Sequence, residues 1–468
     1  MIFIKAIGDT NLHFFSMFDR QYAFDYYTNF VFSVDELTTK ILTNDMDNYI
    51  GYKDDEDFID RRFNLIKLLC DKGIISTKKK KSIVERSKYQ FSTISLFLTN
   101  NCNLRCNYCY EKNQHKVNNM SEEIAKLSIN FLLSNLCENT VPVISLFGGE
   151  PLLNFELIEF ICKYLESHEV PCKFSLTTNG TIMNDKIHSL LNYHDIKVML
   201  SLDGGKEKQD TNRKFENGGG SYDKIETNVR RYLQNDLPNI VVRNTITKKD
   251  TDYKKTYNFF REMGYRSLIS IPIATINDDE KLSDDDINEL IYNCKMIAED
   301  VVNDIIDGKE ILNANFFNFG KLYSNGNGTY CGAGIKSVAI DTNGDIYHCH
   351  RFVGNSKFRL GNLVEGIQKD MIVNMQSEYF DRLNNLYECE DCWALNLCKG
   401  GCMHENLMES GSINKTDSRL CNIRRAWYEI TIALYAIICE KDPSVIEKIY
   451  GENLFNNYLN KWIPLNIN

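Results

Sequence analysis

The chain has 468 residues, of which 43% are hydrophobic and 25% are charged. This length exceeds one ordinary hydrophobic core and predicts roughly two to four domains of a globular protein. The net charge of −10 provides little basic surface for phosphates, so we expect no nucleic-acid partner. No apolar run approaches the length of about 18 residues that a membrane span needs, and the N-terminus meets Lys5 and Asp9 without a cleavage site for a signal peptide. We therefore expect a cytoplasmic protein without a membrane partner.

The most unusual feature of the composition is its 16 cysteines. In a chain of this size, such a number indicates metal-binding or catalytic thiolates rather than a disulfide framework. Isolated cysteines in apolar or mixed surroundings are interpreted as ordinary buried thiols. These are Cys70, Cys137, Cys162, Cys172, Cys294 and Cys439. The other ten fall into two groups, one between 102 and 109 and one between 331 and 421.

The first elements form an N-terminal domain over residues 1–80. Short alternating segments within YAFDYYTNFVFSV predict strands, and Asp35 is placed to cap a helix that runs through Leu42. A second amphipathic helix is expected over 58–69, followed by a short strand in KGIIST. Strands with two or three helices predict a winged-helix-like module. The four lysines at 78–81 then indicate a solvated linker.

A repeating strand–helix pattern begins near residue 90. The runs that predict strands are FSTISLFLT, VISLFGG, KFSLTTNG, KVMLSLDG, NIVVRNTIT and SLISIPIAT. Helical patterns lie between them, for example over 121–136 and 155–166. This alternation predicts an α/β fold in which six units form a partial (β/α)6 barrel over residues 90–310. Its chemistry is expected at the carboxyl ends of the strands.

The remaining chain changes character. Residues 276–325 are predicted to be largely helical, whereas 325–430 are rich in Gly and Cys and have few long periodic runs. Such a segment buries little apolar core, so we expect a separate domain held together by metal. A helix is predicted over 426–438, within a C-terminal helical segment at 431–468.

The first cysteine group has the spacing C-x3-C-x2-C, formed by Cys102, Cys106 and Cys109. Structural zinc normally takes four protein ligands, and the nearest histidine is His115. An iron–sulfur cubane can take three cysteines and leave one iron open. The spacing therefore favours such a cluster over zinc.

With the aromatic Tyr108 before its last cysteine, this motif resembles the signature of the radical S-adenosylmethionine (SAM) superfamily. The resemblance implies that SAM chelates the open iron of a [4Fe-4S] cluster, is cleaved by one electron, and yields a radical that removes hydrogen from carbon. It extends to strand-end residues that would contact the SAM amino group, carboxylate and ribose. These cofactor-binding candidates are Tyr108, Gly148, Gly149, Glu150, Thr178, Asn179, Ser201 and Asp203.

The second group resembles the SPASM domain, an extension of radical SAM enzymes that carries two auxiliary clusters. The resemblance implies that one [4Fe-4S] cluster is fully ligated, by Cys389, Cys392, Cys398 and Cys421. It implies that the other is ligated by Cys331, Cys349 and Cys402, which leaves one iron open to a substrate thiolate. Taken alone, the C-x2-C spacing also suits two zinc ribbons. His348 and His350 flank Cys349 and are interpreted as packing or hydrogen-bonding residues.

The stretch CGAGIKSVAIDTNGDIYHCHRF resembles maturases of ribosomally made peptides that form thioether links, the sactipeptides and ranthipeptides. We therefore expect an enzyme that joins a cysteine sulfur to a peptide carbon. Its expected partners are a precursor peptide, with a leader and a Cys-containing core, and an electron donor such as flavodoxin or ferredoxin. The N-terminal domain resembles the leader-recognition element of such maturases, which grips a peptide by strand addition.

Two classes of alternative remain open. The first is a radical SAM enzyme that makes C–C or C–O crosslinks or another peptide oxidation. This class includes sulfatase maturation, although His350 stands where the sulfatase-maturating enzymes have a catalytic Asp. The second is a zinc-stabilised scaffold that binds peptides.

Overall fold

The computed structural model describes residues 11–43, 56–71, 90–111, 117–248, 252–314, 330–367, 387–450 and 462–463, with short stretches between 317 and 323 and between 370 and 377. The lysine run at 78–81 and the strand predicted after residue 73 lie outside these residues. Among the helices in the described ranges, none has the length and apolar character needed to cross a membrane.

An antiparallel sheet with two following helices forms the N-terminal part. Its strands are β1 (Leu12–Met17), β2 (Arg20–Asp25) and β3 (Val31–Val34), and its helices are α1 (Glu36–Thr43) and α2 (Glu56–Asp71). The Asp35 carboxylate accepts a hydrogen bond of 2.6 Å from the Thr38 N–H, as expected of a helix cap. A small apolar core joins the sheet to both helices. The short strand β17 (Trp462–Ile463) pairs in parallel with β3, so the C-terminal end of the chain covers that edge.

The six predicted barrel strands are all present and parallel to their neighbours. They are β4 (Thr93–Phe97), β6 (Val143–Phe147), β7 (Lys173–Thr178), β8 (Lys197–Ser201), β10 (Val241–Ile246) and β11 (Ser267–Pro272). Alternate residues of these strands are buried in one large apolar core, which also receives the helices. A two-residue strand, β12 (Asn313–Ala314), extends the sheet beyond β11.

Helices follow the strands as the alternation predicts. In this region they are α3 (Glu122–Ser134), α4 (Phe155–Ser167), α5 (Asp185–Tyr193), α6 (Lys206–Asn212), α7 (Tyr222–Asn228), α8 (Tyr253–Glu262) and α9 (Asp284–Ile306). Two short antiparallel strands, β5 (Leu104–Cys106) and β9 (Arg213–Phe215), pair above the carboxyl ends of the parallel strands. The predicted helical stretch 276–325 contains one long helix, α9, and a short 3-10 turn at Phe319–Tyr323.

The cysteine-rich region is built from short elements and one long helix. Its strands are β13 (Ser337–Ile340), β14 (Asp345–Tyr347), β15 (Arg359–Asn362) and β16 (Gly366–Ile367). Its helices are α10 (Tyr387–Glu390), α11 (Leu395–Cys398), α12 (Met403–Ser410), α13 (Ser418–Lys441) and α14 (Ser444–Tyr450). The predicted helix at 426–438 is the central part of the longer α13.

One feature of the topology was not predicted from the sequence. Strand β13 pairs in parallel with β4, so the strands of the cysteine-rich region continue the barrel sheet without a break.

Candidate functional site

The first cysteine group lies in the loop after β4. Cys102, Cys106 and Cys109 are close enough for their thiols to interact electrostatically with one another. The backbone N–H of Leu104 donates to Cys102 Sγ at 3.4 Å. Burial raises the pKa of Cys102 to about 11 and that of Cys106 to about 12 in the absence of a bound cation. A metal that accepts thiolates would reverse this preference for the protonated thiol.

Two glycines after β6 hold this loop against the strand ends. The backbone N–H of Gly149 donates to the Thr99 carbonyl oxygen at 2.9 Å, and that of Glu150 donates to the Asn101 carbonyl oxygen at 2.8 Å. A Cβ atom at Gly148 or at Gly149 would lie 2.2 Å from one of these two oxygens. This close approach of two backbones explains the need for Gly at both positions.

Glu150 connects the ends of β6 and β7. It is fully buried, and its carboxylate accepts hydrogen bonds from the Thr178 hydroxyl at 2.8 Å and the Asn179 N–H at 2.7 Å. Burial raises its pKa to about 7 although these bonds oppose the shift. Asn179 in turn donates from Nδ2 to Cys102 Sγ at 3.8 Å and to Asn103 Oδ1 at 2.9 Å. The structure thus joins three of the predicted SAM-side residues, Gly149, Glu150 and Asn179, directly to the cysteine loop, and Thr178 reaches it through Glu150.

Asp203 is the centre of a second buried network. Its carboxylate accepts from the Tyr108 hydroxyl, from Arg213 Nη2 at 3.2 Å and from the Thr245 N–H at 3.0 Å. The Arg213 guanidinium also lies 5.3 Å from the centre of the Tyr108 ring. Asp203 therefore orients Tyr108 and Arg213 beside Cys106. Its predicted contact with the SAM ribose remains a proposal.

A cavity of about 170 Å³ lies at the carboxyl ends of the strands, between the barrel and the cysteine-rich region. The first cysteine group contributes Cys106 and Cys109 to its wall, and Ser201 of β8 also faces it. The opposite wall carries His350, Arg351 and His404, which neighbour cysteines of the second group. Because the described residues on both walls face one space, a molecule held there would contact both cysteine regions.

Cationic, aromatic and apolar side chains form the rest of this wall. It carries Arg213 and Arg243 but no Asp or Glu among the described residues that line it. Burial, followed by the nearby charge of Arg351, lowers the pKa of Arg243 to about 10. Burial likewise lowers the pKa of His350 to about 3, so its imidazole is neutral near pH 7.

Cys331, Cys349 and Cys402 form a close set in the cysteine-rich region. Their thiols interact electrostatically, and all three line a smaller cavity of about 20 Å³. The backbone N–H of Arg351 hydrogen-bonds the Cys349 thiol, and that of Glu405 hydrogen-bonds the Cys402 thiol. Glu405 lies in the first turn of α12, where helix N–H groups favour a negative charge.

The same two residues are joined through their side chains. Arg351 Nη1 donates to Glu405 Oε1 at 3.2 Å, and Arg424 Nη2 donates to Glu405 Oε2 at 2.6 Å. Burial alone would raise the pKa of Glu405, but the guanidinium groups of Arg424 and Arg351 lower it below its usual range. This Arg–Glu–Arg bridge fixes the start of α12 relative to Cys349.

The remaining predicted ligands lie on neighbouring short elements. Cys389 and Cys392 are linked by a turn in which the Cys392 N–H donates to the Cys389 carbonyl oxygen at 3.2 Å. Cys398 ends α11, and the Tyr428 side chain hydrogen-bonds its thiol. Cys421 lies in the first turn of α13. The grouping of Cys421 with the other three stays a prediction.

The spacing of the thiols bears on which metal group they suit. A single zinc ion with Zn–S bonds of about 2.3 Å brings its sulfur ligands to within about 4 Å of one another. Within the described ranges, no three Cys, His, Asp or Glu side chains are arranged to hold one metal ion. A cubane cluster spreads its thiolates over several irons. That these two sets of three neighbouring thiols hold clusters remains the expectation from the sequence.

Sequence reasoning missed several residues of this site. Arg213, Arg243, His404 and Glu405 lie outside the recognised motifs, and only the fold brings them to the cavity or beside the cysteines. For Arg243 a signal existed, because a charged residue interrupts the apolar run NIVVRNTIT of a predicted buried strand. The other three carry no comparable signal.

Comparisons with known proteins agree with this geometry. The model of the radical SAM superfamily matches residues 96–260, and the SPASM model, an iron–sulfur cluster-binding domain, matches residues 331–393. A cysteine-type anaerobic sulfatase-maturating enzyme from Clostridium novyi is 28% identical over 364 residues, which are 72% of this chain and 93% of that relative.

Two solved structures share the fold at low identity. Native anSMEcpe with bound AdoMet and Cp18Cys peptide has a TM-score of 0.62 at 22% identity and covers 79% of this chain and 99% of its own. Streptococcus suis SuiB bound to precursor peptide SuiA has a TM-score of 0.53 at 16% identity and covers 87% of this chain and 98% of its own.

Proposed function

Because the chain carries a radical SAM domain followed by an SPASM iron–sulfur domain, we propose that it is a peptide maturase that forms thioether links in a ribosomally made precursor. The observation that carries this proposal is the shared cavity. Residues beside the SAM-side thiols and residues beside the Cys331, Cys349 and Cys402 set face the same space. A peptide there can present one carbon to the first group and a cysteine sulfur to the second.

The proposed ligand sets follow the two regions. Cys102, Cys106 and Cys109 would hold the SAM-binding cluster, with Gly148, Gly149, Glu150, Thr178, Asn179, Ser201, Asp203 and Tyr108 around SAM. The Cys331 set and the Cys389, Cys392, Cys398 and Cys421 set would hold two auxiliary clusters. When bound, these groups would supply one-electron cleavage of SAM and an electron acceptor for the bond-forming step.

The protein itself would bind and orient the reacting groups and would exclude water from them. Asn179 and the Leu104 N–H fix the Cys102 sulfur, and the Asp203 network fixes Tyr108 and Arg213. Phe147 and the stretch 271–274 form an apolar wall that protects a reactive carbon from water. His350 lines the cavity with a pKa that burial lowers to about 3, so its ring would add no charge near pH 7.

The N-terminal sheet is proposed to receive the leader of the precursor. His13 of β1 stacks on Trp393 with ring centroids 3.8 Å apart and contacts Glu429 of α13 at 2.9 Å. A leader bound to the sheet would therefore be tethered beside the cysteine-rich region, which raises the effective concentration of the core peptide at the cavity. Since β17 covers the β3 edge, β1 offers the edge for strand addition within the described sheet.

Sulfatase maturation is the second candidate, because the Clostridium novyi relative is named for it. Two features of this chain favour the thioether reaction instead. His350 occupies the position after Cys349 where a carboxylate base is expected in those enzymes, and the described cavity wall carries no other carboxylate.

The test is mass spectrometry on a Cys-containing precursor peptide encoded beside the gene. The reconstituted enzyme is incubated anaerobically with SAM, reductant and the peptide, and the product is weighed before and after thiol alkylation. After reduction of disulfides, thioether formation predicts a loss of two hydrogens and of one alkylatable thiol per link. The same mass loss with all thiols reactive would indicate C–C or C–O links, and thiol loss with any other mass change would indicate oxidation of the cysteine.

Variants of the second cysteine group distinguish its proposed role in linkage from the role of the first group in SAM cleavage. We expect Cys331→Ala or Cys402→Ala to abolish the link while SAM cleavage without product continues. Loss of all SAM cleavage in these variants would contradict the proposed division of roles.

A further inference from the structure

His404 stands between the two cavities of the site. It lines the cavity of about 20 Å³ together with Cys331, Cys349 and Cys402, and it also lines the cavity of about 170 Å³ where the peptide is proposed to bind. It is the residue that the described linings of these two cavities have in common.

The environment of the ring indicates a missing partner. The side chain is 6% exposed, and within the part of the chain that the structure describes its Nδ1 has no hydrogen-bond partner. A buried polar nitrogen without a partner is costly, so such groups normally meet a ligand, an ion or water.

The position of the ring is fixed by its neighbours. His404 follows Cys402 by two residues at the start of α12, and Glu405 beside it is held by Arg351 and Arg424. Its ring contacts Phe352 at 5.4 Å and Tyr110 at 6.1 Å between centroids. This enclosure suits a ligand that must keep one orientation.

We propose that His404 is the fourth protein ligand of the auxiliary cluster held by Cys331, Cys349 and Cys402, through an imidazole nitrogen on the iron that these cysteines leave open. This inference rests on the proposed function, because it assumes that the three cysteines hold a cluster. Histidine in place of cysteine on a cluster iron is established chemistry in proteins.

An imidazole is a more easily replaced ligand than a thiolate on such an iron, because soft thiolates bind it more strongly. A substrate thiol in this position would form an Fe–S bond in place of the Fe–N bond and would release its proton to solvent, with no change in the oxidation state of the iron. His404 would then occupy the open iron in the absence of peptide and would be replaced there by the peptide cysteine.

His348 is the competing candidate, since it lines the smaller cavity as well. It does not line the larger cavity, and its ring lies against Gly334, where a Cβ would be 2.2 Å from Nδ1. His350 lines the larger cavity but not the smaller one. These two histidines provide matched controls within the same 60-residue region of the chain.

The test uses pulsed EPR on the full-length protein. Replacing Cys102, Cys106 and Cys109 by Ala removes the signal of the SAM-side cluster, and the reduced auxiliary clusters are then examined by ENDOR and HYSCORE with and without ¹⁵N-histidine. We expect a strong coupling to a bound nitrogen that changes on ¹⁵N labelling. It should vanish in His404→Ala and persist in His348→Ala and His350→Ala.

A fourth variant guards against misfolding. His404→Cys should lose the nitrogen coupling yet keep the iron content and the auxiliary EPR signals of the parent. Addition of N-acetyl-cysteine amide should remove the nitrogen coupling from the parent protein and leave the spectrum of His404→Cys unchanged.

The outcomes separate the two proposals. Auxiliary signals without a bound nitrogen in the parent, or a coupling that survives in His404→Ala, would overturn the assignment of His404 while leaving the clusters in place. Absence of any auxiliary iron signal would overturn the cluster proposal and this inference together.

Discussion

The two cysteine regions reach a similar local arrangement, three neighbouring thiols, by different physical means. The barrel loop is held by backbone contacts of Gly149 and Glu150 and lies on a large, continuous apolar core. The Cys331, Cys349 and Cys402 set lies beside a small apolar cluster around Ile335, Phe352 and Met403 and is bridged by buried charges. We therefore expect the barrel loop to be ordered before a cofactor binds, and the second region to depend more strongly on a bound group for its order.

The largest expected effect is the loss of activity in Cys106→Ala. Removing one of three thiolates should abolish 5′-deoxyadenosine formation and lower the iron content by about four per chain. Iron analysis and chromatography of SAM products provide the measurement. The matched control is Cys137→Ala, a cysteine outside both groups, which should retain the iron and the activity of the parent. Full activity in Cys106→Ala would show that Cys106 is not needed as a cluster ligand.

Asp203→Asn tests whether the barrel site is stabilised by its buried charge network. The change leaves the Arg213 guanidinium buried without a counter-charge, and we expect a loss of about 3–5 kcal/mol in the free energy of unfolding. Denaturant unfolding of the metal-free protein measures it. Asp195→Asn, an exposed residue just before β8, should change stability by less than about 0.5 kcal/mol. A similar small change in both variants would show that the network contributes little.

Gly149→Ala tests the backbone contact directly. The new Cβ would meet the Asn101 carbonyl oxygen at 2.2 Å, so the cysteine loop must shift. We expect a stability loss of about 1–3 kcal/mol, together with weaker SAM binding by calorimetry. In the control Gly205→Ala, the nearest atoms lie 3.9 Å from the Cβ, and near-parental stability and binding are expected. Normal SAM binding in Gly149→Ala would mean that the contact does not position the loop.

Removal of iron should give the smallest of the expected effects, a difference in amide exchange between the two regions. With its bound group absent, amides of residues 387–410 should exchange with deuterium at least about tenfold faster, while those of β7 change little. Hydrogen–deuterium exchange of reconstituted and chelator-treated protein gives both values in one experiment, with β7 as internal reference. An equal increase of the exchange rate in both regions would contradict the proposal that only the second region depends on its bound group.

The sequence predicted the barrel with few errors because its signals are local. Each of the six β-branched runs became a parallel strand, and Asp35 caps its helix as expected. The expectation of a largely helical 276–325 is met by α9, and after Ile306 the described residues hold a two-residue strand and a short 3-10 helix. The strand predicted after residue 73 and the linker at 78–81 fall outside the described residues.

The cysteine-rich region was harder to predict because its order comes from contacts between distant residues. Strand β13 joins β4 across more than 200 residues of sequence, and Arg424 meets Glu405 from a different helix. Neither residue of that pair belongs to a motif, so no spacing in the sequence predicts the contact. The sequence identified candidate ligands there but not the residues that support them.

By itself, the sequence of this protein determined the cysteine spacings and the positions of the six barrel strands, because these depend on neighbouring residues and on local periodicity. Only the tertiary structure decided that the two cysteine regions face one cavity, that Arg351, Glu405 and Arg424 bridge the second region, and that His404 stands between the cavities. Those relations depend on how distant segments pack, which is set by the burial of the whole core rather than by any single stretch of residues.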